Sequence, residues 1–142
     1  MIEYTMLYWE GEPMLNSNAF NYVDVLTKAA DASWTRENII TNNIANVDTV
    51  GYKRKDLDFE SVLRTQLKQG DYDSLDDKIN NVNLSKLNPE PFSDTESYSY
   101  RLDGNNVDID VEQVELASEQ LKYQALTTSI NNQFSRMRDV IK

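Results

Sequence analysis

From Asn21 to Asn46 apolar residues return every three or four positions. Val23, Leu26, Ala30, Ile40 and Ile44 share one 3.5-residue repeat, with Ser33 and Glu37 in its two remaining slots. No Gly or Pro interrupts these 26 residues, so the spacing predicts an unbroken helix of roughly 39 Å. Asn21 is placed to cap it, with Asp24 in the first turn. A seam holding Ser and Glu is a weak core by itself and calls for partner helices. A second uninterrupted stretch runs from Asp110 to Lys142. There Asp110 followed by Gln113 reads as a capping-box variant. Leu116, Tyr123, Leu126, Ile130, Phe134, Met137 and Ile141 form one apolar stripe, while Val111, Val114, Ala117, Leu121 and Ala125 start another. A helix apolar on two sides requires neighbours on more than one side.

Between these helices the pattern changes. Gly51 to Asn106 holds three of the four glycines and two of the three prolines, and is dense in Asn, Asp and Ser. Tyr98, Tyr100 and Leu102 alternate with Ser99 and Arg101, the period of a short strand, and Asp103-Gly104 is a turn pair. Leu57, Phe59 and Val62 are candidate pairing partners for that strand. The expected fold is mainly α: long N- and C-terminal helices packed as an antiparallel, coiled-coil-like pair, with an irregular middle containing a short β element. The expected divisions are a flexible leader over 1–19, a helix and elbow over 20–55, the middle over 56–106 and the C-terminal helix over 107–142.

Composition narrows the chemistry. The 142 residues include no Cys and no His, which removes disulfides, thiolate nucleophiles and imidazole metal sites. Net charge is −10, against a nucleic-acid partner, which needs clustered Lys and Arg. Residues 1–55 carry −2, residues 56–119 carry −11 and residues 120–142 carry +3, and a basic end suits a helix C-terminus. No apolar run approaches a membrane span. The opening lacks the basic head of a cleaved signal peptide and carries Glu3, Glu10 and Glu12.

Carboxylates alternate at Asp56-Asp58-Glu60 and again at Asp108-Asp110-Glu112. Calcium binding or acid–base cleavage of glycosides would use such residues. Neither run has EF-hand spacing, and a turn edge leading into a helix cap accounts for both. No Ser-x-x-Lys arrangement or glycine-rich phosphate loop is present. No catalytic residue, cofactor, metal ligand or small-molecule substrate is therefore expected. Lys53-Arg54-Lys55 is the one basic triplet, expected as a solvated loop or as a dock for an acidic surface.

The loop before that triplet is the most informative part of the chain. Asn42-Asn43-Ile44-Ala45-Asn46-Val47-Asp48-Thr49-Val50-Gly51-Tyr52-Lys53 ends a helix with local Asn caps and then turns sharply. Gly51 fits the third position of a type II turn from Thr49 to Tyr52, where φ must be positive.

Asn43, Ile44, Ala45, Asn46, Thr49, Gly51, Tyr52 and Lys53 together closely resemble the signature of the bacterial flagellar rod, hook and hook-associated superfamily. Gly104-Asn105-Asn106-Val107-Asp108-Ile109-Asp110, followed by Gln120 to Leu126, looks like its proximal rod branch, the FlgB family. Val50 stands where that superfamily usually has Pro, and residues 1–13 precede its usual start. The resemblance implies a structural subunit of the basal body rod, not an enzyme, carrying torque from the rotor ring toward the distal rod. Its implied partners are its own copies, other rod subunits, the rod-adaptor protein FliE, the rotor (MS) ring and the flagellar type III export apparatus, with export lacking signal cleavage. The expected assembly interface is Leu26, Ile40, Ile44, Leu116, Leu121, Tyr123, Leu126, Ile130, Phe134, Met137 and Ile141. A soluble coiled-coil adaptor is the alternative from the pattern alone, and a carboxylate enzyme or calcium module stands third.

Overall fold

The computed structural model describes residues 19–69, 74–93, 102 and 104–141. In chain order its elements are α1 (Ala19–Ala45), β1 (Lys55–Asp56), α2 (Phe59–Lys68), α3 (Leu75–Asn80), a 3-10 turn at Leu84–Lys86, β2 (Phe92–Ser93) and α4 (Ile109–Ile141). Asn43 of α1 meets Glu112 of α4, and Ser33 meets Glu119, so the two long helices lie antiparallel as the stripes predict.

The caps differ from the sequence expectation. Asn21 lies inside α1, and its amide donates to Asn80 Oδ1 at 3.3 Å, tying α1 to α3. The start of α4 is capped by Asp108 rather than Asp110. Asp108 Oδ1 accepts the N–H groups of Asp110 and Val111 at 3.0 and 3.3 Å, while its carbonyl accepts that of Glu112. Burial of Val107 against the body of the protein sets this register, so α4 begins at Ile109, two residues before the start that a cap at Asp110 would give.

The middle is more helical than its turn-rich composition suggests. Asp58 Oδ1 accepts the Ser61 N–H at 3.0 Å and starts α2. Phe59, Val62 and Leu63 then fall on one face of that helix. Phe59 and Val62 are thus helical, not strand residues. Leu57 and Phe59 are buried with Ala32, Ile39 and Leu87, and Val25, Ala29 and Val62 pack around them. This core covers a second face of α1, one that the 3.5-residue repeat does not include. The sheet is a two-residue antiparallel pair, Lys55 opposite Ser93 and Asp56 opposite Phe92. The expected strand at Tyr98 and Tyr100, and residues 1–18 of the leader, lie outside the described residues, whereas Ala19 already opens α1 and Leu102 is fully exposed. Among the described residues no helix is long and apolar enough to cross a membrane, and no carboxylate group is arranged to hold a metal.

Candidate functional site

At the end of α1 the backbone tightens before it turns. Asn46 N–H reaches the carbonyls of both Asn42 and Asn43, and Val47 N–H that of Ile44. Tyr52 N–H then closes onto the Thr49 carbonyl at 3.2 Å with Gly51 at φ +74°, while Val50 keeps a negative φ. This is the type II turn the sequence predicts. A Cβ on Gly51 would meet nothing within 4 Å, so the requirement for Gly is conformational rather than steric. Gly51→Val is expected to cost about 1–2 kcal/mol through its backbone, redirecting the chain that leaves α1. Rod formation should fall much further than soluble protein level. Normal swimming by cells carrying only this variant would contradict that expectation.

Two asparagines with no exposed surface hold the elbow in place. Asn43 Oδ1 accepts from Lys55 N–H at 3.0 Å and from the Tyr52 hydroxyl at 3.2 Å. Its Nδ2 donates to the Lys55 carbonyl at 2.8 Å and to Glu112 Oε2 at 2.9 Å. Asn105 approaches from the opposite side of the turn. Its Nδ2 donates to the carbonyls of Asn46, Val47 and Thr49 at 3.1, 2.9 and 3.0 Å, and its Oδ1 accepts Val107 N–H at 2.8 Å. Asn106 Oδ1 accepts Arg54 N–H at 2.7 Å, and Lys53 Nζ donates to the Gly104 carbonyl at 2.7 Å. The two sequence motifs, some fifty residues apart, are therefore one interlocked structure.

A charged seam continues from the elbow between α1, β1 and α4. Arg54 donates to Glu112 Oε1, to Asp56 Oδ2 at 3.0 Å and to Glu115 Oε2 at 3.3 Å. Arg36 reaches Asp56 Oδ1 at 2.8 Å, Glu119 Oε2 at 2.9 Å and Glu115. Ser33 Oγ donates to Glu119 Oε1 at 2.7 Å, and Gln120 Nε2 to Glu37 Oε1 at 3.2 Å. The Ser and Glu that looked like weak slots in the repeat are matched within the chain. Glu112 and Glu119 are almost fully buried, yet among the described residues no buried side-chain nitrogen or oxygen lacks a partner. The Asp56 hydrogen bond, with that of Glu119, outweighs burial and raises Arg36 above its already high value. Burial opposes ionisation of Asp56, but Arg36, the Leu57 N–H and Arg54 together hold it below its ordinary 3.8. Burial, reinforced by Glu112, raises the Tyr52 phenol, which keeps its proton for Asn43.

The basic triplet is thereby divided. Lys53 and Lys55 are exposed, whereas Arg54 belongs to the interior and is not a solvated loop residue. Both carboxylate runs serve as structure: Asp58 and Asp108 cap helices, Asp56 and Glu112 hold arginines, and Glu60 pairs with Lys122. Of the elbow residues, Ala45 and Thr49 are exposed while Ile44, Asn46 and Tyr52 are half-buried. Of the expected interface residues, Ile40 is wholly buried in its own chain. Leu26, Leu116, Tyr123, Leu126, Ile130 and Met137 are half-buried, and Leu121, Phe134 and Ile141 are exposed. The seam itself went unrecognised in the sequence. Its signal was Glu112, Glu115 and Glu119, spaced by three and four on the side of α4 that meets α1.

A family model described as "Flagella basal body rod protein" matches residues 24–53, which are most of α1 and the elbow through Lys53. The flagellar basal body rod protein FlgB of Bacillus subtilis is 36% identical over 121 residues, covering 82% of this chain and 89% of that protein. The Escherichia coli K12 protein of the same name is 31% identical over 118 residues, covering 75% and 83% respectively. That of Borreliella burgdorferi is 31% identical over 129 residues, covering 85% and 90%.

Proposed function

Because the chain belongs to the FlgB family of flagellar basal body rod proteins, we propose that it enters the proximal end of the rod through its two terminal helices. It is a structural subunit of the basal body rod, and its part in motility follows from that family. The observation behind the helix-mediated contact is the outer face of α4. Val114 and Leu121 are 71% and 67% exposed, with Val111 close beside them, on the side of α4 away from Glu112 and Glu119. The interlocked elbow fixes the angle at which this face is presented. Leu26, Ile44, Leu116, Leu121, Tyr123, Leu126, Ile130, Phe134, Met137 and Ile141 complete their burial against neighbouring subunits. Those neighbours are its own copies and other rod proteins, with FliE and the MS ring on the rotor side. The chain reaches them through the flagellar type III apparatus without cleavage of a signal, and its role is mechanical rather than catalytic.

Leu121→Glu tests this directly. An exposed substitution changes stability by about 0.5 kcal/mol or less, so the melting curve should stay where it is. Purified basal bodies from cells carrying only this variant should lack the chain, and the cells should not swim. Basal bodies with a normal content of the variant would overturn the assignment of this face.

A further inference from the structure

At the end of the helix pair remote from the elbow, α1, α3 and α4 leave an open groove of about 730 Å³. Its walls are Phe20, Tyr22, Ile79, Met137, Val140 and Ile141, and the exposed Arg136 and Asp76 stand at its rim. Val140 and Ile141 are 87% and 85% exposed, which is unusual for adjacent aliphatic side chains on a finished surface. The opposite end of the molecule also exposes apolar side chains. Val50, at the tip of the type II turn, is 77% exposed. Leu102 is fully exposed two residues before Gly104, which lies against Gly51. Asp48 is exposed beside Val50 and offers a carboxylate where the groove offers a guanidinium.

Resting on the rod-subunit reading, we propose that the groove receives the elbow tip of a second copy of this chain. Val50 enters the apolar walls, and Asp48 pairs with Arg136 on the rim. The two surfaces differ and lie at opposite ends of a helix pair roughly 40 Å long, so the contact is heterologous. Each subunit that docks leaves one tip and one groove open, the condition for growth along an axis instead of closure into a two-fold dimer.

Sedimentation velocity on the full chain, at concentrations rising into the millimolar range, tests the contact. The wild-type chain should form a ladder of species. Val50→Glu and Val140→Glu alter exposed side chains, so each should keep the wild-type circular dichroism and melting curve while remaining monomeric. Mixed together, they retain one intact groove and one intact tip between them, and should give a one-to-one dimer and nothing longer. Asp48→Arg should weaken association at least tenfold, and adding Arg136→Asp in the same chain should restore it. A wild-type chain that stays monomeric, or a mixture that forms no dimer, overturns the proposal. Association that begins only when residues 1–13 are removed also overturns it, since the groove's occupant would then be the chain itself. Entry into the basal body is read separately by Leu121→Glu. A chain that enters the rod yet gives no mixed dimer refutes this contact alone.

Discussion

Arg54→Met should destabilise the folded chain by about 3–5 kcal/mol, the cost of leaving a buried charge without its counter-ion. Glu112 has no exposed surface and among the described residues its carboxylate receives Arg54 and the Asn43 amide, so removing the guanidinium strands its charge. Asp56 and Glu115 lose a donor in the same step, although Arg36 still reaches both. Against a total of about 5–15 kcal/mol for a domain of ordinary stability, such a loss approaches unfolding at physiological temperature. Adding Glu112→Leu to the variant removes the orphaned charge and should recover part of the loss, because Asn43 keeps its bonds to Lys55 and Tyr52. Urea unfolding midpoints of the two single variants and the double variant give the coupling directly. If Arg54→Met costs less than about 1 kcal/mol, water reaches the seam and the pair behaves as a surface bridge.

What the sequence revealed and what it concealed both follow from the range of the interactions. The helices of α1 and α4 are local: their stripes repeat every three or four residues, and nothing breaks them. The turn at Gly51 is local too, because a positive φ restricts the residue wherever the rest of the chain goes. Asn43 and Asn105 stood inside the motifs read from the sequence, but their purpose is long-range. Each bonds mainly backbone groups or side chains from another part of the chain, and a backbone carbonyl leaves no trace in side-chain periodicity. Arg54 was hidden for a related reason. Between two lysines it resembles a solvated basic loop, and only the fold carries it against Glu112. Phe59 and Val62 fit a strand or a helix equally well over so few residues. The Asp58 cap decides between them. At the start of α4 the error was one of register, since Asp108 and Asp110 are equally good caps by type and the burial of Val107 selects the first.

Ending the chain after Thr128 should abolish rod assembly while leaving a folded subunit. The cut spares the elbow, both buried asparagines and the ion pairs of the seam described above, since among the described residues the last ion-paired side chain is Lys122. It removes Ile130 and Met137, which are half-buried, together with the exposed Phe134, Val140 and Ile141. Complete burial of such a side chain is worth roughly 1.5–3 kcal/mol, so half-burial of Ile130 and Met137 contributes about 0.75–1.5 kcal/mol apiece within the chain. The truncated subunit should therefore melt several degrees lower but still unfold cooperatively. The exposed residues contribute little to the isolated chain, and their value lies in burial against a neighbour. Arg136 and Arg138 leave with them, so the basic end of α4 goes too. The truncated chain should be found outside the cytoplasm, absent from purified basal bodies, and unable to support a filament or swimming. A coiled-coil adaptor that worked through the acidic residues 56–119 would lose none of them to this cut and would keep binding its partner. Motile cells that carry only residues 1–128 would place the functional surface in the half of the molecule that the cut leaves intact.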